Sequence, residues 1–265
     1  MELENFEIID FHTHPFTTKS NNICSHKDYF DMSIEGTKNT FEGLGISRIC
    51  GSVISIENQK APHASTWERI VEDNNTALRL RDIYKGFYVP GFHVHPDFVQ
   101  ESIKEIRRMS CEGVKLIGEL CPYAYSWNDY SCKGFSEILD EAEKYGMAVS
   151  IHTMNDNAID EMVKNHPNTT IVAAHPGEYD SFMRHLSRMK MSNNYYLDLS
   201  GTGLFRYGML RRAITEVGAD RILFGTDYPT CNPAMFVGGV LWDDLITDEE
   251  KKLIFSENAK RILKL

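Results

Sequence analysis

Eight short apolar runs recur along the chain, and each is rich in β-branched and aliphatic residues. Most of them are continuous rather than alternating, which is the pattern of strands buried on both faces of a parallel sheet. We therefore predict eight strands, at residues 8–11, 48–54, 87–92, 114–117, 148–151, 170–174, 195–199 and 222–224.

Segments with helical spacing separate these runs and are long enough to carry the chain back between parallel neighbours. The clearest lie at 67–81, 97–109, 135–145, 156–165, 178–189 and 205–217. A last helix is predicted over 247–259, where Thr247 and Glu250 have the spacing of a capping box. Eight strand–helix units favour closure over an open sheet, so we expect an α/β fold with a single (β/α)8 TIM barrel over residues 1–265.

Composition and charge narrow the classes of partner. The 265-residue chain is 42% hydrophobic and has a net charge of −10. A protein that binds the negatively charged backbone of a nucleic acid needs clustered Lys and Arg instead. We expect no nucleic-acid partner, and no apolar stretch is long enough for a membrane span. The chain has no signal-peptide pattern and no Cys-x-x-Cys pair, which predicts a cytoplasmic protein with reduced thiols. A small-molecule substrate is the expected partner, and the sequence does not decide whether the chain forms a homodimer.

Polar residues follow the ends of four predicted strands. His12 and His14 follow the first strand, His152 the fifth, His175 the sixth and Asp227 the eighth. In a closed barrel the carboxyl ends of the strands meet at one mouth, where active sites are found. We therefore expect these five residues to become neighbours.

His12 and His14 are two residues apart, so both side chains point to the same face of an extended strand. With His152 and one carboxylate they form a mixed nitrogen and oxygen ligand set with an open position for water. Such a set predicts a divalent ion. Zn²⁺ is the expected metal, with Mn²⁺, Fe²⁺ or Co²⁺ as alternatives.

Three features resemble the amidohydrolase superfamily. They are the opening Asp10-Phe11-His12-Thr13-His14, the strand-end residues His152 and His175, and the segment Gly225-Thr226-Asp227-Tyr228-Pro229. Within the superfamily they are similar to the amidohydrolase-2 branch, which includes aminocarboxymuconate-semialdehyde decarboxylase and related hydrolases, lactonases and hydratases. Residues 257–263, with the sequence ENAKRIL, also resemble the usual ending of that branch, so the resemblance covers nearly the whole chain.

The resemblance implies roles for the strand-end residues. His12, His14, His152 and Asp227 would ligate a metal, and His175 would act as an acid or base beside it. In relatives with two metals, His152 and His175 would instead hold the second ion, bridged by a residue of strand four that is commonly a carboxylated lysine.

Strand four departs from that common pattern. Lys115 and Glu119 share alternation parity, so both are expected to face the barrel axis, with Glu119 nearer the mouth. Glu119 could bridge two ions, bind a substrate group or lie in solvent as a loop residue. One ion and two ions are therefore both open at this point.

Two further residues are candidate substrate contacts. Arg206, which follows strand seven, could bind a substrate carboxylate, and His95, at the end of strand three, could line the mouth. Barrel-mouth loops carry such specificity residues.

The expected activity is hydrolysis of an ester, lactone or amide bond of a small molecule. A bound cation would lower the pKa of water, and Asp227 would accept the proton of the attacking water. The alternative is a lyase, either a non-oxidative decarboxylase or a hydratase, because the same ligands can hold a carboxylate or an enolate. A catalytically silent metal-binding protein is disfavoured because no ligand is missing from the pattern.

Overall fold

The protein is described by a computed structural model that covers residues 3–60, 65–204 and 206–265. Its strands follow one another in chain order around a single sheet, and each adjacent pair is parallel. The strands are β1 (Ile8–Asp10), β2 (Ile46–Gly51), β3 (Tyr88–Phe92), β4 (Leu116–Leu120), β5 (Ala148–His152), β6 (Thr170–Ala174), β7 (Tyr195–Asp198) and β8 (Ile222–Leu223). All eight predicted strands are confirmed; β6 has the predicted bounds, and the other strands have shifted ends.

Hydrogen bonds beyond β1 and β8 join the first and last parts of the sheet. The Phe11 amide donates to the Phe224 carbonyl at 2.8 Å, and Thr13 and Tyr228 form a parallel bridge. The sheet therefore closes on itself, which confirms the predicted (β/α)8 TIM barrel.

Helices connect the strands as predicted. They are α1 (Ile34–Gly43), α2 (Ile56–Gln59), α3 (Thr66–Tyr84), α4 (Val99–Cys111), α5 (Lys133–Lys144), α6 (Asp156–Asn165), α7 (Tyr179–Met191), α8 (Met209–Val217), α9 (Pro233–Leu241), α10 (Asp248–Lys252) and α11 (Asn258–Leu263). The predicted helix over 205–217 begins at Met209, and residue 205 lies outside the described residues. In the described ranges, no helix is long and apolar enough to cross a membrane.

The last helical region begins at the predicted capping box. The Thr247 hydroxyl accepts a hydrogen bond from the Glu250 amide, and the Glu250 carboxylate accepts one from the Thr247 amide. A π-helical segment, Leu253–Glu257, joins α10 to α11. The region therefore continues to Leu263, beyond the predicted end at residue 259.

Strand β4 differs most from its prediction and decides where the carboxylate of Glu119 lies. It begins at Leu116, two residues after the predicted start, and includes Glu119, whose side chain is 3% exposed. The interpretation of Glu119 as a solvent-exposed loop residue is therefore wrong. Lys115 precedes the strand and donates to the Tyr145 carbonyl at the end of α5, at 3.0 Å. It therefore faces the helix layer rather than the axis. Leu116 points into the barrel, and the β4–β5 register shifts between Ile117 and Leu120, so Lys115 and Glu119 do not share a face.

The hydrophobic core has two layers. Alternate residues of the strands fill the lower part of the barrel, among them Leu116, Ala148, Val172 and Leu223. A larger cluster packs the outward faces of the strands against the helices. Packed side chains thus support the mouth from below, and the polar side chains of the site gather at the carboxyl ends of the strands.

Candidate metal centre

Six side chains meet at the carboxyl ends of the strands. Each comes from the end of a strand or from the residues that follow it: His12 and His14 from β1, Glu119 from β4, His152 from β5, His175 from β6 and Asp227 from β8. The closure hydrogen bond from the Asp227 amide to the His12 carbonyl, at 2.8 Å, joins the two ends of this set. The structure therefore brings the five strand-end residues together and adds Glu119.

His12 and His14 form one half of the centre. Their Nε2 atoms are 3.3 Å apart, and Oε2 of Glu119 lies 3.4 Å from the first and 3.2 Å from the second. Oδ1 of Asp227 lies 3.7 and 3.6 Å from the same two nitrogens. Ligands about 2.1 Å from a tetrahedral ion are about 3.4 Å from one another. The spacing of these donor atoms thus matches a divalent ion.

Hydrogen bonds behind the rings decide which nitrogen of each imidazole carries its proton. Nδ1 of His14 lies 3.0 Å from the Ser52 carbonyl, and Nδ1 of His12 lies 2.8 Å from Oδ2 of Asp198. Both partners are acceptors, so each Nδ1 must donate, and a neutral ring then presents a bare Nε2. Lone pairs of two imidazoles therefore face the carboxylate of Glu119, an arrangement that requires a cation or additional protons.

His152 and His175 form the other half of the centre around the second oxygen of Glu119. Nδ1 of His152 lies 3.0 Å from Oε1 of Glu119, and Nε2 of His175 lies 3.5 Å from it. The two groups that could hold an ion, His12–His14–Glu119 and Glu119–His152–His175, therefore share Glu119. His152 thus lies with His175 around Oε1 of Glu119.

Burial and facing charges oppose one another in the centre. Burial raises the pKa of Glu119, but the charge and hydrogen bonds of His12 and its neighbours outweigh it and hold that pKa well below its ordinary value. Burial also raises the pKa of Asp227. For His152, burial lowers the pKa, but the hydrogen bond and charge of Glu119 outweigh this and raise it overall. Glu119 is therefore a buried carboxylate that is kept ionised by imidazoles.

A second layer of polar groups surrounds these side chains, and strand-end reasoning did not single it out. The Cys121 thiol donates to Oε2 of Glu119 at 2.9 Å, while Asp198 and Ser200 lie behind His12 and His175. Asp198 and Ser200 stand at the end of β7, so the rule that found His152 on β5 could also have found them. No sequence pattern marked Cys121, because a cysteine that contacts the centre cannot be distinguished in sequence from any other buried residue at the end of an apolar run.

Two residues of the centre have unusual backbone conformations. His175 and Asp227 have φ values of 67° and 64°, in the left-handed region that side chains other than glycine rarely adopt. Such conformations persist where the surrounding structure holds them and are concentrated at functional sites. His175 directly follows β6, and Asp227 lies in the segment after β8, so both stand where the chain leaves the sheet at the mouth.

Arg206 and His95, the two candidate substrate contacts, have protein partners instead. The Arg206 guanidinium donates to the Gly177 carbonyl at 2.8 Å and pairs with Glu178, in the loop that follows His175. His95 is buried, its Nε2 lies 2.9 Å from the Tyr125 carbonyl, and its Nδ1 accepts from the Asp97 amide. Arg206 therefore braces a mouth loop, and both ring nitrogens of His95 are used within the fold.

An open cavity lies over the centre. Its volume is about 510 Å³, and His152, His175 and Asp227 are among its lining residues. Ligand pockets for small molecules fall in this size range. The centre is therefore accessible to a small molecule from the mouth.

Comparison with known proteins places this centre in a family. The sequence model of the family described as amidohydrolase matches residues 9–265. The chain belongs to the amidohydrolase family. No curated protein sequence matches it significantly.

Solved structures share the fold of this amidohydrolase at low sequence identity. The 2,6-dihydroxybenzoate decarboxylase from Rhizobium is 17% identical with a TM-score of 0.76, over 98% of this chain and 99% of that one. The 5-carboxyvanillate decarboxylase from Novosphingobium aromaticivorans, in complex with manganese and 4-hydroxy-3-methoxy-5-nitrobenzoic acid, is 17% identical with a TM-score of 0.74, over 99% and 97%. A dihydroxybenzoic acid decarboxylase from Polaromonas, with manganese and 2-nitroresorcinol, is 15% identical with a TM-score of 0.74, over 98% and 97%.

Proposed function

We propose that this amidohydrolase is a metal-dependent decarboxylase of a small aromatic carboxylate. The observation that carries the proposal is the pair of Nε2 atoms of His12 and His14, which point at Glu119 and Asp227 beneath an open cavity. The structural neighbours named above are decarboxylases of small aromatic acids, which supports the lyase alternative better than the hydrolysis expected from the sequence.

His12, His14, Glu119 and Asp227 are the proposed ligands of one divalent ion. Two imidazole nitrogens and two carboxylate oxygens suit either zinc or manganese. Manganese in the Novosphingobium and Polaromonas structures makes Mn²⁺ the first ion to test here, ahead of the Zn²⁺ expected from the sequence. A bound cation supplies positive charge that anchors a substrate carboxylate and stabilises negative charge developing beside it.

The reaction needs one proton from the protein. Decarboxylation breaks the bond between the ring carbon and the carboxylate, leaves the electron pair on the ring carbon and releases carbon dioxide. That carbon then takes a proton, so a protonated side chain must reach the cavity. His152 and His175 both line the cavity and are the two candidates for this role.

A metal-dependent hydrolase is the second candidate. The specific observation in its favour is the second group of possible ligands, Glu119, His152 and His175, which shares a carboxylate with the first group. Two ions bridged by one carboxylate can stabilise both the attacking and the leaving oxygen in a hydrolytic displacement. The number of ions per chain therefore bears on the reaction as well as on the ligands.

Product analysis tests the proposal. Protein loaded with Mn²⁺ is incubated with a panel of ortho-hydroxybenzoates that includes 2,6-dihydroxybenzoate and 5-carboxyvanillate, and carbon dioxide is measured. The expected result is release of carbon dioxide that disappears when the metal is removed and in a His12→Ala/His14→Ala variant. Turnover of an ester or lactone, without carbon dioxide from any member of the panel, would favour the hydrolase instead.

A further inference from the structure

Asp198 and Ser200, two fully buried residues at the end of β7, lie behind the imidazoles of both halves of the centre. Oδ2 of Asp198 is 2.8 Å from Nδ1 of His12, and Oγ of Ser200 is 3.0 Å from Nδ1 of His12. The same Oγ is 3.0 Å from Nδ1 of His175. One hydroxyl therefore touches a histidine from each half.

The hydrogen atoms in this network can be assigned from the donors and acceptors. Asp198 accepts from Nδ1 of His12, from the Ser200 amide at 2.9 Å and from the Ser200 hydroxyl, so it acts as an ionised acceptor. The single hydroxyl hydrogen of Ser200 is directed at Asp198, which leaves only lone pairs for the imidazoles. Nδ1 of His175 must then be the donor in its bond to Ser200.

The opposite edge of the His175 ring supports this assignment. Nε2 faces Oε1 of Glu119 at 3.5 Å, longer than the 3.0 Å bond from Nδ1 to Ser200, so the shorter bond determines the proton position. A flipped ring would place carbon-bound hydrogens against both Ser200 and Glu119. The ring also packs closely against the backbone of Gly201, since a Cβ added at that position would lie 2.3 Å from Nδ1 of His175.

We propose that Ser200, oriented by Asp198, is a positioning residue that keeps the proton of His175 on Nδ1 and leaves its Nε2 as a lone pair facing the centre. The inference rests on the proposed function only where it assigns catalytic roles. With Nε2 bare, His175 can bind a cation or accept a proton, but it cannot deliver one. His152, which lines the same cavity, is then the proton donor to the ring carbon.

Nitrogen NMR of metal-free protein at alkaline pH, with ¹⁵N-labelled histidine, reads the tautomer of His175 directly. The His175 signals are assigned by their loss in His175→Asn. The wild type is expected to carry the proton on Nδ1. In Ser200→Ala, Nδ1 loses its acceptor and Oε1 of Glu119 remains, so the proton should move to Nε2; Ser200→Thr keeps the hydroxyl and should restore the Nδ1 form.

A titration with Zn²⁺ alone gives a second readout. Ser200 also contacts Nδ1 of the proposed ligand His12. Removal of a group that orients a metal-ligating histidine lowers metal affinity by about 10- to 100-fold, so Ser200→Ala should lose affinity to this extent. Ser200→Thr should recover most of it. Ser256→Ala, which changes another buried serine in the last helical region, is the control and should bind zinc as the wild type does.

Two results would overturn the inference: Nε2 protonation of His175 in the wild type, or an unchanged tautomer and zinc affinity in Ser200→Ala. The wild-type measurement stands even if the alanine variant does not fold. Failure of the decarboxylase proposal would be distinguishable from failure of this inference. In that case no carbon dioxide would be released, while His175 would still carry its proton on Nδ1.

Discussion

Replacement of Gly201 by alanine should damage the centre without removing any polar group. Gly201 has a φ of +62°, and an added Cβ would lie 2.3 Å from Nδ1 and 2.9 Å from Cε1 of His175. Gly113→Ala is a matched control, because Gly113 has a φ of +78° and nothing lies within 4 Å of an added Cβ. Both variants share the backbone strain, so the difference between them isolates the contact with His175.

Backbone strain is common to both variants, whereas overpacking against His175 affects only Gly201→Ala. A side chain in the left-handed region costs about 1–2 kcal/mol in either variant, and overpacking adds about 1–3 kcal/mol in Gly201→Ala alone. Each 1 kcal/mol lowers the melting temperature of a chain of this size by roughly 2–4 °C. If the ring moves aside instead, it leaves its position beside the proposed ligand Glu119, and zinc affinity should fall about tenfold, as for the loss of a group that supports a ligand.

Calorimetry and zinc titration on both variants check this prediction. Gly113→Ala is expected to lose some stability and to keep the affinity of the wild type for zinc. Gly201→Ala is expected to be less stable than Gly113→Ala, or to bind zinc more weakly, or both. Equal melting temperatures and equal zinc affinities in the two variants would refute the placement of the His175 ring against Gly201.

Three further predictions follow from the same geometry. His12→Ala/His14→Ala should reduce bound metal to background in elemental analysis while circular dichroism stays native, because these side chains lie at the mouth; full metal occupancy would contradict the ligand assignment. Glu119→Gln should weaken metal binding, since a neutral amide is a poorer ligand for a divalent ion than a carboxylate, and an unchanged stoichiometry and affinity would place Glu119 outside the ligand set. Burial lowers the pKa of His185 to about 3, so the unfolded chain binds the extra proton and stability should fall as pH drops below about 6.5, by about 2 kcal/mol at pH 5. Urea unfolding at pH 7 and pH 5 should show a smaller loss in His185→Gln, and an equal loss would argue against a neutral buried His185.

The barrel could be predicted because the same sequence pattern, an apolar run followed by a helical segment, recurs along the chain. Each buried strand is a continuous apolar run, and a polar residue such as His152 or Asp227 marks the point where the run reaches the mouth. Errors at the ends of strands do not change which residues reach the mouth. The predicted start of β4 was two residues early, yet Glu119 still lies in the centre because the whole strand points there.

The sequence left two groupings of the side chains open and could not decide between them, because the choice depends on ring orientations and local register. Sequence alternation put Lys115 and Glu119 on the same face, whereas the register shift between Ile117 and Leu120 separates them, with Lys115 at the helix layer and Glu119 in the centre. Nothing in the spacing of His152 and His175 indicates that both face Oε1 of Glu119. The assignment of protons in the centre likewise depends on partners distant in sequence.

The central claim, metal-dependent loss of a carboxylate, is tested most directly by product analysis in D₂O. Protein loaded with Mn²⁺ and a metal-free sample are each incubated with the ortho-hydroxybenzoate panel, and the products are examined by NMR and mass spectrometry. We expect carbon dioxide and a product with one deuterium on the carbon that carried the carboxylate, in the metal-loaded sample alone. Loss of the carboxylate at equal rates in both samples, or no loss from any member of the panel while an ester or lactone is hydrolysed, would contradict it.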